Sequence, residues 1–256
     1  MNKRSTFFSL VLTAHRREYL AEALLSVCAQ TDKDFEFVLC LDLRKDEDLP
    51  CYCTDIFESI QCTKKNLVTI IGNGTAGLCR NEAFGKTTGK WISYLDGDDM
   101  ISPIAIETMK KYIFTHETYD IFSSGMIKIN TDGVCVNIPN SLSYYPSHDI
   151  YRIDPETINS PTYFNQFQVM RREVWEQYKY DISSNGEDID FMLINMLRWK
   201  YLKVPQYLYF YRDVQKSFSK ETYVDGDFTT KRYRNGFYMK YYEDNYSDFF
   251  SCNFND

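Results

Sequence analysis

Residues 91 to 103 read WISYLDGDDMISP, an apolar run followed at once by acidic residues. The run from 91 to 95 has the largely apolar character of a buried strand. Asp96, Asp98 and Asp99 come directly after it, and carboxylates held so close together repel one another. Such a cluster is typical either of a solvated turn that caps the following helix, or of a site where positive charge lies among the carboxylates.

The composition indicates a globular protein. Of its 256 residues, 44% are apolar and 25% are charged, so the chain can bury a large core as one domain or as two closely packed lobes. The net charge of −7 disfavours a nucleic-acid partner. The sequence has no apolar run of about 18 residues that would span a membrane and no signal-peptide cleavage site. We therefore expect a cytoplasmic protein, with peripheral contact at the inner face of the membrane left open.

Eight cysteines raise the question of disulfides or a structural metal. They form no Cys-x-x-Cys pair, and the spacing of Cys51, Cys53 and Cys62 is too irregular to suit zinc. Cys28, Cys40 and Cys79 lie in apolar runs, where a thiol behaves as a small hydrophobe. We expect reduced thiols.

The first hundred residues alternate between apolar runs and segments with helical periodicity. The predicted strands are 7–12, 35–41, 67–71 and 91–95, and the predicted helices between them are 18–28, 56–60 and 76–86. This alternation predicts an α/β fold with a mainly parallel sheet flanked by helices. Beyond residue 103 we predict helices at 104–115, 171–178 and 187–199, a hairpin of 119–129 with 134–138, and a strand near 207–212.

Small or acidic residues follow each of the four predicted strands. They are Thr13, Ala14 and His15 after the first, Asp42 after the second, Gly72, Asn73 and Gly74 after the third, and Asp96, Asp98 and Asp99 after the fourth. Ligands of open parallel sheets bind beyond the carboxyl ends of the strands. The sequence therefore predicts a binding site at this edge.

Four segments resemble family 2 glycosyltransferases of the GT-A fold, a Rossmann-like α/β fold. Residues 8–42 (FSLVLTAHRREYLAEALLSVCAQTDKDFEFVLCLD) resemble the opening of that family, and residues 77–99 (GLCRNEAFGKTTGKWISYLDGDD) resemble its next segment, which ends in an Asp-x-Asp motif. Residues 185–191 (NGEDIDF) resemble its Glu-Asp helix start, and residues 211–219 (YRDVQKSFS) a later Tyr-Arg element. The order of the four segments is also that of the family.

The resemblance implies a nucleotide-diphosphate sugar as donor and Mn²⁺ or Mg²⁺ as cofactor. It makes Asp98 the direct metal ligand, and it places Asp96 at the ribose or at metal-bound waters, with Asp99 behind them. Such hard cations take few protein oxygens and complete their coordination with phosphate and water. The positive charge that offsets the repulsion within the acidic cluster is then that of the metal ion, which also binds the diphosphate.

The resemblance also assigns the remaining donor contacts. Asp42 matches the position that contacts the nucleobase, Thr13 and Ala14 line the same pocket, and Arg80 faces the donor phosphates from a helix start. In YRDVQKSFS the family often has histidine where this chain has Asp213, so we leave Asp213 out of the metal set. A loop ion pair of Asp213 with Arg212 or Lys216 is equally consistent with the sequence.

The Asn185-Gly186-Glu187-Asp188 stretch introduces a helix, and both carboxylates fall in its first turn. Helix capping alone explains acids at such positions. The resemblance makes Asp188 the general base and Glu187 an acceptor contact, with Asp190 a weaker candidate for the base.

The resemblance divides the chain into three regions. They are a nucleotide-sugar-binding α/β region at 1–125, an acceptor and catalytic-base region of the same domain at 126–219, and an aromatic-rich helical extension at 220–256 that packs on the domain or on a second copy in a homodimer.

The activity that the resemblance implies is inverting transfer of a sugar to a hydroxyl of a glycan or glycolipid acceptor, with a bacterial surface glycan as the default. Three alternatives stay open: transfer to a modified DNA base, nucleotidyl transfer, and nucleotide-sugar binding without catalysis. Nucleotidyl transfer would require a glycine-rich loop after the first strand, and TAHRREYL contains no glycine.

Overall fold

The computed structural model describes residues 6–15, 18–43, 51–71, 74–137, 167–182, 187–196 and 198–213. Several sequence predictions lie outside this range: Gly72 and Asn73, residues 185–186 and 214–219 of the two later family-like segments with Lys216, and the extension at 220–256 with its dimer contact. The side chain of Asp190 is not described either.

The described residues form nine strands and six helices. The strands are β1 (Phe8–Ala14), β2 (Glu36–Leu43), β3 (Lys64–Ile71), β4 (Trp91–Asp96), β5 (Met100–Ile101), β6 (Ile121–Ile129), β7 (Cys135–Asn137), β8 (Gln168–Arg171) and β9 (Tyr201–Arg212). The helices are α1 (Leu20–Cys28), α2 (Cys51–Ser59), α3 (Ala76–Gly85), α4 (Ala105–Thr115), α5 (Arg172–Gln177) and α6 (Glu187–Met196).

All nine strands belong to one sheet, ordered β3-β2-β1-β4-β8-β6-β9-β5, with β7 paired to β6. Strands β1 to β4 are parallel to one another, and β6 is parallel to β9, whereas β8 is antiparallel to β4 and β6. The predicted α/β fold with a mainly parallel sheet is confirmed. The short strands β5 and β8 were not predicted, and β9 begins earlier than the sequence indicated.

Both faces of the sheet are covered, which is why its central strands read as continuous apolar runs. Helices α1, α2 and α4 bury one face, where Leu24 and Met109 join Leu10 and Leu12 of β1. Helices α3, α5 and α6 bury the other face, where the core includes Phe84 and Trp175.

The ends of β1 and β4 lie against each other at the carboxyl edge. Thr13 pairs with Asp96 in the strand register, and the amide of Gly97 donates a 2.8 Å hydrogen bond to the carbonyl of Thr13. A Cβ atom at Gly97 would lie 2.7 Å from the Cβ of Ala14, closer than real contacts allow. A glycine between the acidic residues therefore lets the Asp96–Asp99 turn close on β1.

Candidate active site

The predicted strand ends meet at one edge of the sheet. The hydroxyl of Thr13, at the end of β1, donates a 3.4 Å hydrogen bond to Oδ1 of Asp96, at the end of β4. Asp42, near the end of β2, is buried, and its Oδ2 lies 2.6 Å from Nδ1 of the more exposed His15. The parallel strands thus bring together carboxylates from distant parts of the chain.

The segment before α3 approaches Asp42 closely. A Cβ atom at Gly74 would lie 3.2 Å from Oδ2 of Asp42 and 3.2 Å from Sγ of Cys79. This carboxylate is therefore held in a narrow space between β2 and α3. A short carboxylate that is held in one position can accept a hydrogen bond from one particular polar group of a ligand.

The three clustered carboxylates have different environments. Asp99 is buried, and its two oxygens accept hydrogen bonds from the hydroxyl of Tyr209 at 2.6 Å and the amide of Arg212 at 2.7 Å. Burial, with added repulsion from Asp98 and Asp96, raises the pKa of Asp99 well above its usual range. Asp96 and Asp98 are partly exposed at the edge. Asp99 is thus the structural member of the cluster.

Arg212 connects the Asp96–Asp99 turn to neighbouring parts of the fold. Its side chain is buried, its Nε donates a 2.9 Å hydrogen bond to the carbonyl of Asp98, and its Nη1 donates a 2.8 Å bond to the carbonyl of Thr131. It also pairs with Glu22 of α1 and lies 4.3 Å from the ring centre of Tyr19. The resemblance pointed to this Tyr-Arg element, but the sequence did not show that Arg212 holds the Asp98 backbone.

Arg80 forms an ion pair with the acidic edge. It lies in the second turn of α3, is 4% exposed, and places Nη2 2.9 Å from Oδ1 of Asp96. Its Nη1 pairs with Glu187 of α6, and its guanidinium lies 4.3 Å from the ring centre of Tyr94 and 5.5 Å from that of Tyr180. The predicted phosphate-facing arginine is thus turned toward two carboxylates of the protein.

The Arg80 pairing has an electrostatic consequence. Burial by itself lowers the pKa of Arg80, but Asp96, Tyr94 and Glu187 outweigh it, so the net pKa is raised and the guanidinium stays charged. Burial raises the pKa of Glu187, an effect that Arg80 opposes. Asp188 is half-buried and near enough to contribute to the raised pKa of Arg80.

The structure thus joins four of the predicted residues in one network. Thr13, Asp96, Arg80 and Glu187 form a continuous chain of contacts across β1, β4, α3 and α6. Asp42 lies at the same edge with its own partner, His15. Sequence reasoning missed Tyr94, because its position inside a strand looks like that of any core aromatic residue.

The described residues do not by themselves form a complete site for a divalent cation. In the part of the chain that the structure describes, no three or more His, Cys, Asp or Glu residues form a group that could hold a metal. Asp96 is paired with Arg80, and Asp99 with Tyr209 and Arg212. Asp98 is partly exposed at the sheet edge. This fits a cation that a substrate's phosphates hold together with one carboxylate, as Mg²⁺ often is.

Sequence comparison shows the family to which the chain belongs. The family described as Glycosyl transferase family 2 matches residues 9–179, and the chain belongs to this family. It is 30% identical over 118 residues to the uncharacterized glycosyltransferase MJ1057 of Methanocaldococcus jannaschii, and 27% identical over 118 residues to the putative glycosyltransferase EpsE of Bacillus subtilis. These matches cover 45% of this chain but only 39% and 41% of the two relatives.

The fold is similar to that of crystal structures of S. aureus TarS. The structure of TarS 1–349 in complex with UDP-GlcNAc has a TM-score of 0.67 at 19% sequence identity, covering 85% of this chain and 62% of that one. A second TarS structure has a TM-score of 0.62 at 18% identity and covers 89% of this chain and 41% of that one. Among the described helices, none is long and apolar enough to cross a membrane.

Proposed function

We propose that this protein is an inverting glycosyltransferase that moves a sugar from a nucleotide-diphosphate donor to an acceptor hydroxyl, with a bacterial surface glycan as the acceptor class. The observation that carries the proposal is the contact chain from the β4 acids through Arg80 to the first turn of α6. These contacts keep the sheet edge at which the diphosphate binds close to Asp188, a carboxylate that can accept a proton.

The donor nucleotide binds along the ends of β1, β2 and β4. Asp42 is buried at its strand end and held next to His15, so it accepts a hydrogen bond from an N–H of the base at a fixed position. Thr13 and Ala14 line the floor of this pocket, and Asp96 receives the ribose hydroxyls. Because UDP-GlcNAc is bound in the TarS complex, uridine nucleotides are the first donors to test.

Asp98 is the residue that would hold a divalent cation, Mn²⁺ or Mg²⁺. When bound, the cation offsets the negative charge of the departing diphosphate. Arg212 keeps the backbone of Asp98 in place through its carbonyl, and Tyr209 keeps Asp99 from moving into the site. The proposed cation ligand therefore lies on a turn whose backbone is held in place by Arg212.

Asp188 takes the proton from the acceptor hydroxyl. The acceptor oxygen forms its bond to the anomeric carbon as the bond from that carbon to the diphosphate oxygen breaks, and the proton passes to the Asp188 carboxylate. One displacement of this kind inverts the configuration of the anomeric carbon.

A thermal-shift screen of nucleotide sugars, with and without Mn²⁺, tests the proposal. We expect at least one nucleotide-diphosphate sugar to raise the Tm only when Mn²⁺ is present, and the same compound to be slowly hydrolysed. Stabilisation by nucleoside triphosphates alone would favour nucleotidyl transfer. Binding without hydrolysis or transfer would favour a non-catalytic binding protein.

A further inference from the structure

Residues 180–182, which come before α6 in the chain, are held against helix α3. The hydroxyl of Thr75, the N-cap residue of α3, donates a 2.9 Å hydrogen bond to the carbonyl of Ile182. The Asn81 amide donates to the carbonyl of Tyr180 at 2.8 Å and accepts from the amide of Tyr180 at 3.1 Å. Three hydrogen bonds from α3 thus fix the backbone a few residues before Glu187 and Asp188.

The approach of this segment to α3 depends on a glycine. A Cβ atom at Gly77 would lie 2.1 Å from the carbonyl oxygen of Asp181 and 3.3 Å from Cγ of Glu187. The first distance is impossible for real atoms, so any side chain at this position forces the backbone near Asp181 to move. The other glycine of the same helix, Gly85, would meet nothing within 4 Å.

Arg80 adds the charged centre of this contact. It is buried one helical turn after Gly77, and it pairs with Glu187 on α6 and with Asp96 on β4. Turning the guanidinium toward a donor phosphate would leave both carboxylates without their positively charged partner, and Glu187 is 7% exposed. An uncompensated buried charge is strongly unfavourable.

We infer that α3 is a positioning element for catalysis: Gly77, Arg80 and Asn81 hold the first turn of α6 so that Asp188 stands at a fixed place relative to Asp96. The inference rests on the proposed function in its assignment of Asp188 as the base. Under this inference, Glu187 and Arg80 affect catalysis by fixing the positions of Asp188 and Asp96, and they do not contact the sugar or the phosphates. A base that is misplaced by about 1 Å can lose on the order of 10²-fold in rate.

The glycine pair of α3 supplies a matched test. Gly77→Ala and Gly85→Ala make the same change in the same helix, but only the first one meets the Asp181 carbonyl. We expect Gly77→Ala to increase hydrogen–deuterium exchange at least roughly tenfold in peptides covering 175–182 and 187–196, with α1 and α4 unchanged. Gly85→Ala should exchange like the unmodified protein.

Kinetics give the second readout. With UDP and Mn²⁺ as the binding probe, Gly77→Ala should keep its Kd within about twofold, because the strand ends are untouched, while kcat for UDP-GlcNAc hydrolysis or transfer falls by about 10- to 100-fold. Glu187→Gln keeps the size of the side chain but removes its charge, so it should reproduce the faster exchange of 187–196 to a smaller extent.

Two results would overturn the inference. One is equal exchange in Gly77→Ala and Gly85→Ala, and the other is faster exchange of α1 and α4 together with α6, which would mean a general loss of stability. A different result separates the proposed function from the inference: if Asp188→Asn is fully active while Gly77→Ala still loosens α6, the base is wrongly assigned but the docking of α6 on α3 stands.

Discussion

The hydroxyl of Tyr209 donates a 2.6 Å hydrogen bond to Asp99, which makes one member of the acidic triplet part of the core. The second oxygen of Asp99 accepts from the amide of Arg212 at 2.7 Å. Two donors lower the pKa of this carboxyl, but burial and the neighbouring Asp98 and Asp96 raise it by more. The triplet therefore divides into a structural residue, Asp99, and two residues at the open edge.

Asp99→Asn should stabilise the protein at neutral pH. A carboxyl whose folded pKa is raised binds a proton more tightly in the folded state, so stability falls as pH rises through the range between its ordinary and its folded pKa. Asparagine removes this loss, so we expect a higher free energy of unfolding at pH 7 and a smaller gain toward pH 4. Urea unfolding at both pH values measures it. The exposed Asp132→Asn serves as a control, and a destabilised Asp99→Asn at pH 7 would contradict the assignment.

Lys203 gives a second pH-dependent prediction. It is buried, its Nζ donates to Ser123 Oγ at 3.2 Å and to the carbonyl of Ser124, and burial lowers its pKa from 10.5 to about 7. Between these values the unfolded chain binds a proton that the folded protein lacks, so this residue makes stability rise with pH from about 7 upward.

Lys203→Met should therefore stabilise the protein by roughly 1–4 kcal/mol at pH 7, and by less at pH 10. The Ser123 hydroxyl keeps a partner in the hydroxyl of Tyr201. Unfolding in urea at both pH values measures the difference, with the exposed Lys86→Met as the control. An equal effect of Lys203→Met at pH 7 and pH 10 would mean that Lys203 is charged in the folded protein.

The strand-end residues could be predicted because one physical rule places them: parallel strands deliver their carboxyl ends to the same edge. Runs such as 91–96 carry the strand signal, and Thr13, Asp42 and Asp96 needed nothing more to be located. The partners of Arg80 could not be predicted in this way. Glu187 lies 107 positions further along the chain, and only the tertiary packing of α6 on α3 brings it to the guanidinium.

The same limit applies to the acidic triplet. Local sequence cannot distinguish Asp98 from Asp99, because they are adjacent and chemically identical. Tyr209, 110 positions away on β9, decides which one is buried. The position of Arg80 also differs from the prediction, which placed it at the start of a helix. Thr75 caps α3 by accepting a hydrogen bond from the amide of Leu78, so Arg80 lies in the second turn.

Asp98→Ala should abolish transfer while the fold stays intact. The substitution removes the proposed cation ligand, and it also relieves repulsion from Asp96 and Asp99 in the absence of ligand. We expect weaker donor binding in Mn²⁺, measured by calorimetry, together with an unchanged or slightly higher Tm without ligand. Near-normal activity that EDTA still inhibits would show that the cation is held elsewhere.

Asp42→Ala should raise the donor KM more than it lowers kcat. The carboxylate of Asp42 contacts the base equally in the ground state and in the transition state, so its loss removes binding that both share. Steady-state kinetics with the best donor from the thermal-shift screen measure the two constants. An unchanged KM would place the nucleobase away from β2.

Asp188→Asn distinguishes a catalytic base from a helix cap. Asparagine keeps the size of the side chain and caps a helix about as well as aspartate, but it cannot accept the proton of the acceptor. Transfer should fall by roughly 10² to 10⁴-fold, the usual share of general-base catalysis, with donor binding and Tm unchanged. Donor hydrolysis should fall by less, because water needs less help to attack than a positioned acceptor hydroxyl. Asp190→Asn, on the same helix, is the matched control: if it is inactive while Asp188→Asn is active, the base lies two positions further along α6.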